Sequence, residues 1–143
     1  MIKILFLCHG NICRSTMGQY ILQDMLNRKG LGERFLVDSA AVSREELGNP
    51  IYPPARRELE RWGVPVGNHR ARQVTMEDYR EFDRIYYMDE SNRRYLSGLL
   101  PRDPEKIRKL LPYDVADPWY TGNFTQTYED LVLGCQGILE EFT

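Results

Sequence analysis

Histidine, tryptophan, lysine and cysteine are all scarce in this 143-residue chain: two, two, four and three respectively. No His/Asp/Glu cluster has ligand spacing, so no metal and no cofactor are expected. Basic residues number 19 against 21 acidic, a net charge of −2. The basic excess of a nucleic-acid partner is missing. No uncharged stretch approaches the roughly 20 residues of a membrane span. The apolar run Ile4–Leu7 is too short for a signal-peptide core. Membrane insertion is therefore not expected. Three cysteines without a recognisable signal fit free thiols in a reducing compartment, so a cytoplasmic location is expected. There is no internal repeat, low-complexity tract or linker. With 42% hydrophobic and 28% charged residues, the chain has the composition of a globular domain. Its length fits one domain over 1–143, with a core that needs no staple. A monomer is expected.

Arginines outnumber lysines 15 to 4, which suits bidentate contacts to carboxylate or phosphate. Residues 3–7 form a short apolar run, the pattern of a strand buried on both faces. Residues 8–15 read as a loop. Met17, Ile21 and Met25, with Leu22 and Leu26 beside them, predict an amphipathic helix ending near Gly30. A second strand is expected over 34–42. Pro53-Pro54 opens a helix that Gly63 stops. Thr75 caps a helix over 76–82, with Asp78 at its third position. A third strand over 84–88, a short helix over 91–96 and another helix over 105–111 follow. The stripe Tyr128, Leu131, Val132, Cys135, Ile138, Leu139 and Phe142 predicts a long final helix. Alternating strands and helices imply an α/β fold: a parallel sheet of about four strands with helices on both faces. The segment 112–127 lacks periodicity yet carries Trp119, Tyr113, Tyr120 and Phe124. It is too aromatic for disorder and long enough to be functional.

The chemistry gathers at the end of the first strand, in Cys8-His9-Gly10-Asn11-Ile12-Cys13-Arg14-Ser15. The spacing C-x5-R is weak alone, but it lies between a buried strand and a helix, where open α/β sheets bind ligands. Successive backbone N–H groups of a tight loop form an anion nest, and the helix N-terminus adds positive potential. Arg14 supplies a planar fork for two phosphate oxygens. Gly10 and Asn11 let the chain curl around a tetrahedral ion. Positive surroundings of this kind favour thiolates, and Ser15 can donate a hydrogen bond to the Cys8 sulfur. A thiolate beneath a bound phosphate is a nucleophile aimed at phosphorus. His9 reads as a loop residue that offers its backbone N–H and not its ring. Cys13 reads equally as core filler or redox partner, and Cys135 as core. The leaving oxygen needs an acid. Asp117-Pro118-Trp119-Tyr120 offers one on a separate loop, with Trp119 and Tyr120 to wall a flat ring. Asp114 is the rival.

These segments resemble the low-molecular-weight protein tyrosine phosphatase family over essentially the whole chain. The resemblance rests on C-x-G-N-I-C-R-S at 8–15, Val37-Asp38-Ser39-Ala40, His69-Arg70-Ala71-Arg72, Met88-Asp89-Glu90-Ser91-Asn92 and Asp117-Pro118-Trp119-Tyr120. It implies a hydrolase acting on phosphotyrosine-containing proteins and small aryl phosphates through a cysteinyl-phosphate. Cys8 would be the nucleophile, Arg14 the phosphate clamp, and Asp117 the acid and then the base. Asn11, Ser15 and His69 would support the loop. Phosphate would be bound by residues 9–15 after the first strand, with Ile12, Glu45, Trp119 and Tyr120 walling the substrate. The resemblance also implies that Cys13 traps an oxidised Cys8 as a disulfide; the alternative is that Cys13 only packs.

Two departures stand out. Thr16 occupies a position where the family usually has proline, for which a small stability cost is expected. The stretch Ser43-Arg44-Glu45-Glu46 makes one wall charged where animal members carry an aromatic. That disfavours acidic flanks unless Arg44 offsets it. Thiol-coupled arsenate reductases need a relay of further cysteines, and none lies between Cys13 and Cys135. Protein-arginine phosphatases have Thr where this chain has Ile12, which favours a phenyl ring. A phosphate-binding module without catalysis needs neither Cys8 nor Asp117.

Overall fold

The computed structural model describes residues 1–143. Strands β1 (Ile2–Cys8), β2 (Phe35–Ala41), β3 (Arg84–Tyr87) and β4 (Ile107–Lys109) form one sheet in the order β2-β1-β3-β4. All pairings are parallel. The helices are α1 (Arg14–Arg28), α2 (Pro53–Arg61), α3 (Met76–Glu81), α4 (Glu90–Leu96), α5 (Pro118–Thr121) and α6 (Phe124–Phe142).

Strand β1 explains the architecture. Ile4, Phe6 and Cys8 pack into one cluster with Met17 and Ile21 of α1, Leu59 of α2 and Leu131 and Cys135 of α6. Leu5 and Leu7 alternate to the opposite face, against Val74, Phe82, Ile85 and Leu96. Both faces are apolar because both are covered, each full burial of such a side chain being worth roughly 1.5–3 kcal/mol. The strand order reverses at β1, since β2 lies on one side and β3 on the other. This opens a crevice at its carboxyl end. The expected phosphate loop, residues 8–15, lies there.

The capping signal at Thr75 holds, Thr75 and Asp78 closing a capping box on α3, and the structure adds another between Asp89 and Asn92 on α4. The helix expected over 105–111 is instead strand β4. The edge of β3 decides this: Lys106 O accepts from Ile85 N at 2.8 Å, and Tyr87 O accepts from Leu110 N at 2.9 Å. Pairing with that edge satisfies the backbone and sends Leu111 into the core. The aperiodic segment contains the single-turn helix α5, and α6 starts earlier than its apolar stripe, at Phe124, capped by Asn123, whose side chain accepts from Gln126 N.

Helix α6 lies close to the chain that leaves β4. A Cβ on Gly134 would meet Leu110 Cγ at 2.5 Å, whereas one on Gly137 would meet nothing within 4 Å. Gly134→Ala is expected to lose about 1–3 kcal/mol to overpacking, and Gly137→Ala to gain about 0.5–1 kcal/mol. Urea unfolding of both variants checks this; equal midpoints would contradict it.

Candidate active site

The residues between β1 and α1 wrap a cavity that the chain does not fill. The backbone N–H groups of Gly10, Ile12 and Cys13 donate to no group of the protein. Helix α1 has no side-chain cap, unlike α3, α4 and α6, and no acidic residue in its first turn. Its unpaired amides and positive end therefore face the loop interior, ready for an anion.

Asn11 holds this loop. Its φ of 61° is left-handed, a conformation that costs a non-glycine residue of order 1–3 kcal/mol. A network of its side chain offsets this. Arg72 N–H can only donate, and it meets Asn11 Oδ1 at 3.2 Å, which fixes the amide's orientation. Nδ2 then donates to Ser15 Oγ at 2.7 Å and Ser39 Oγ at 3.0 Å. Ser39 passes its own proton to Gln19 Oε1. Ser15 is left free to donate to Cys8 Sγ, 3.0 Å away, and Asn11 N–H adds a second donor at 3.3 Å. His69 Nε2 lies 2.7 Å from Asn11 Oδ1 and must donate to it. Burial lowers the His69 pKa, outweighing Asp38, which favours the charged ring. Thr16 is more than a tolerated substitute, because its hydroxyl donates to Asn11 O at 2.9 Å.

Arg14 is 2% exposed. Its Nη1 donates to Asp89 Oδ2 at 2.6 Å and Val115 O at 2.8 Å, and Nη2 approaches Asp117 Oδ2 at 3.4 Å. Burial pulls the guanidinium pKa down, but Cys8, Asp117 and Asp89 together reverse this, and the net direction is upward. Asp117 is also the N-cap of α5, accepting from Trp119 N at 3.0 Å. The rival Asp114 is bound to Lys109 at 2.5 Å, which holds its carboxyl below the usual range.

One cleft of about 150 Å³ brings the expected residues together. Cys8, Gly10, Ile12, Cys13, Arg14 and Asp117 line its depth. His9, Glu45, Glu46, Trp119 and Tyr120 form its rim. Asn11, Ser15 and His69 lie behind, in hydrogen-bond contact with the loop. Gly10 leaves room for the facing loop, since a Cβ there would press on Glu46 Cγ at 3.2 Å. Cys13 is buried, and its thiol pKa is pushed far up, first by desolvation and then by Cys8. The His9 ring is engaged away from the nest: its Nε2 bonds Glu45 Oε2 at 2.6 Å, and it meets Tyr95 in a T-shaped contact.

A family model described as low molecular weight phosphotyrosine protein phosphatase matches residues 3–143. The chain belongs to this family. Similar proteins include the low molecular weight protein-tyrosine-phosphatase YfkJ of Bacillus subtilis, 37% identical over 97% of this chain and 94% of its own length. The human low molecular weight phosphotyrosine protein phosphatase is also 37% identical, with the same coverage. The crystal structure of YfkJ superposes with a TM-score of 0.94 at 36% identity, covering 99% of this chain and 94% of that one.

Two positions in this phosphatase family member escaped the sequence reading. Asp89 anchors Arg14, although only its cap pattern is visible in sequence. Tyr52 supports Trp119, with ring centroids 4.8 Å apart, and nothing nearby in sequence announces it. Asp89→Asn removes the shortest charge partner of a buried cation. It is expected to cost about 1–3 kcal/mol of stability and to weaken inorganic phosphate binding on the order of 10-fold. Calorimetry checks both; unchanged phosphate affinity would mean that Val115 and Asp117 alone orient Arg14.

Proposed function

We propose that this chain hydrolyses phosphotyrosine in proteins, and small aryl phosphates, through a phosphocysteine on Cys8. The observation that carries this reading is the placement of Cys8 Sγ, with its Ser15 donor at 3.0 Å, in the same cleft as Arg14 and Asp117. Phosphate oxygens fill the nest of Gly10, Ile12 and Cys13 amides and the Arg14 fork. The Cys8 thiolate attacks phosphorus, and the P–O ester bond breaks. The electron pair leaves with the phenolic oxygen, which takes the Asp117 proton. Asp117, now ionised, accepts a proton from water as that water attacks the phosphocysteine. The P–S bond breaks, the thiolate returns and inorganic phosphate departs. Asn11, Ser15 and His69 act as positioning residues.

Ile12 offers an apolar contact to a phenyl ring, with Trp119 and Tyr120 opposite. Glu45 and Glu46 make the remaining wall acidic, and Arg44 pairs with neither, so acidic flanks bind poorly. The Drosophila arginine phosphatase is a second structural neighbour, with a TM-score of 0.87 at 28% identity over 99% of this chain and 98% of its own. Phosphoarginine is accordingly the competing substrate; Ile12, without a hydroxyl to place water, favours phosphotyrosine. The site is complete within one chain, consistent with a monomer. All three cysteines are free thiols, consistent with the cytoplasm. No helix is long and apolar enough to cross a membrane.

Rates on an aryl phosphate, phosphotyrosine, phosphoserine and phosphoarginine, measured side by side, test the substrate. Cys8→Ser is expected to abolish turnover and keep phosphate binding. Asp117→Asn is expected to lower kcat by roughly 10²–10⁴, most for poor leaving groups. Damage from Asp114→Asn instead would identify a different acid.

Cys13 is assigned a protective role. Peroxide converts the Cys8 thiolate to a sulfenic acid, and Cys13 displaces water from it to form a disulfide. In Cys13→Ser, peroxide inactivation should resist a thiol reductant that restores the parent. Equal recovery, or no Cys8–Cys13 bridge by mass spectrometry, would mean that Cys13 only packs.

A further inference from the structure

Away from the cleft, a second cavity of about 210 Å³ lies between the chain entering α2 and the segment around His69. Arg56, Arg70, Asn68 and His69 line it beside Gly67, and no acidic residue is among the lining. In a chain of net charge −2, a wall with two guanidiniums and no acid reverses the overall sign. The cavity beside α4 differs, for Asp103 lines it and one of its arginines, Arg93, is already paired with Glu90.

Arg70 is held in place without being neutralised: its Nη1 donates to the Gly48 carbonyl at 3.0 Å. Arg56 forms no ion pair. The backbone N–H groups of Gly67 and Asn68 donate to no group of the protein. Two guanidiniums, a carboxamide and open backbone amides are the donor set that oxyanions select. The space admits one phosphate with several waters, at about 30 Å³ per water.

We propose that this cavity binds a free oxyanion of the phosphate class, with inorganic phosphate its ligand. Phosphate is the product of the hydrolysis proposed above, so the physiological source of the ligand rests on that reading, while the site does not. One residue joins the two sites. His69 lines the cavity and donates to Asn11 Oδ1 at 2.7 Å. An anion seated there bears on the imidazole that fixes the catalytic loop.

The test is a titration of the ¹⁵N-labelled full chain with inorganic phosphate, followed by NMR. Backbone amides of Gly67 and Asn68 report the cavity, and those of Gly10 and Cys13 report the loop. Two saturable isotherms with different midpoints are expected. Arg56→Ala and Arg70→Ala should each weaken the cavity isotherm on the order of 10-fold and leave the loop's own isotherm saturable. Arg56 carries no protein hydrogen bond from its side chain, so its variant reports even if Arg70→Ala unfolds. Cavity amides that shift only with the loop's midpoint, shift without saturating, or ignore both substitutions would overturn the proposal. Because binding and not turnover is read, an inactive protein would sink the hydrolysis and leave this result standing.

Discussion

The burial of one positive charge organises this molecule. A guanidinium taken out of water costs several kcal/mol unless its donors are met, and Arg14 is almost wholly inaccessible. Three groups from two segments meet it. Asp89 comes from the start of α4, while the Val115 carbonyl and the Asp117 carboxylate come from the chain before α5. Residues far apart in sequence therefore converge on the start of α1. The same convergence brings the proposed acid, clamp and nucleophile into one cleft. Under that proposal folding and chemistry draw on a single set of contacts, because the charge proposed to bind phosphate also recruits the loop that carries Asp117.

Asn11 complements this. Arg14 supplies charge, whereas Asn11 supplies direction. A backbone N–H from Arg72 forces the orientation of its amide, the amide forces the role of Ser15, and Ser15 is left pointing a proton at Cys8. Each step follows from which atom can only donate. The left-handed backbone at Asn11 is the cost, and it persists because five side-chain hydrogen bonds over-determine the residue.

Local rules made much of this legible in the sequence. The buried strand, the amphipathic α1, the cap at Thr75 and the final helix each depend on residues within a few positions of one another. The C-x5-R loop was legible for the same reason. What stayed hidden depends on distant partners. Residues 105–111 have no strong preference of their own, and the open edge of β3 makes them a strand. Asp89 reads as a helix cap, and its second oxygen meets Arg14 only after the sheet is assembled. The His9 ring finds Glu45 across a loop, and Tyr52 finds Trp119 across the cleft.

The division of labour around the cleft follows from burial. Its floor is rigid, since Cys8, Asn11, Arg14 and Ser15 are all buried and mutually bonded. Its rim is built from side chains that water reaches: Trp119 is 52% and Tyr120 84% exposed. The Glu45 side chain is held by an exposed bond to His9. A change in the floor disturbs a buried charge or an enforced proton direction, and so the fold as well as the reaction. A change in the rim alters what lies beside the phosphate and leaves the core untouched. Under the proposed mechanism the buried floor, with Asp117 beside it, carries the chemistry, and the exposed rim is left to bear on the choice of substrate.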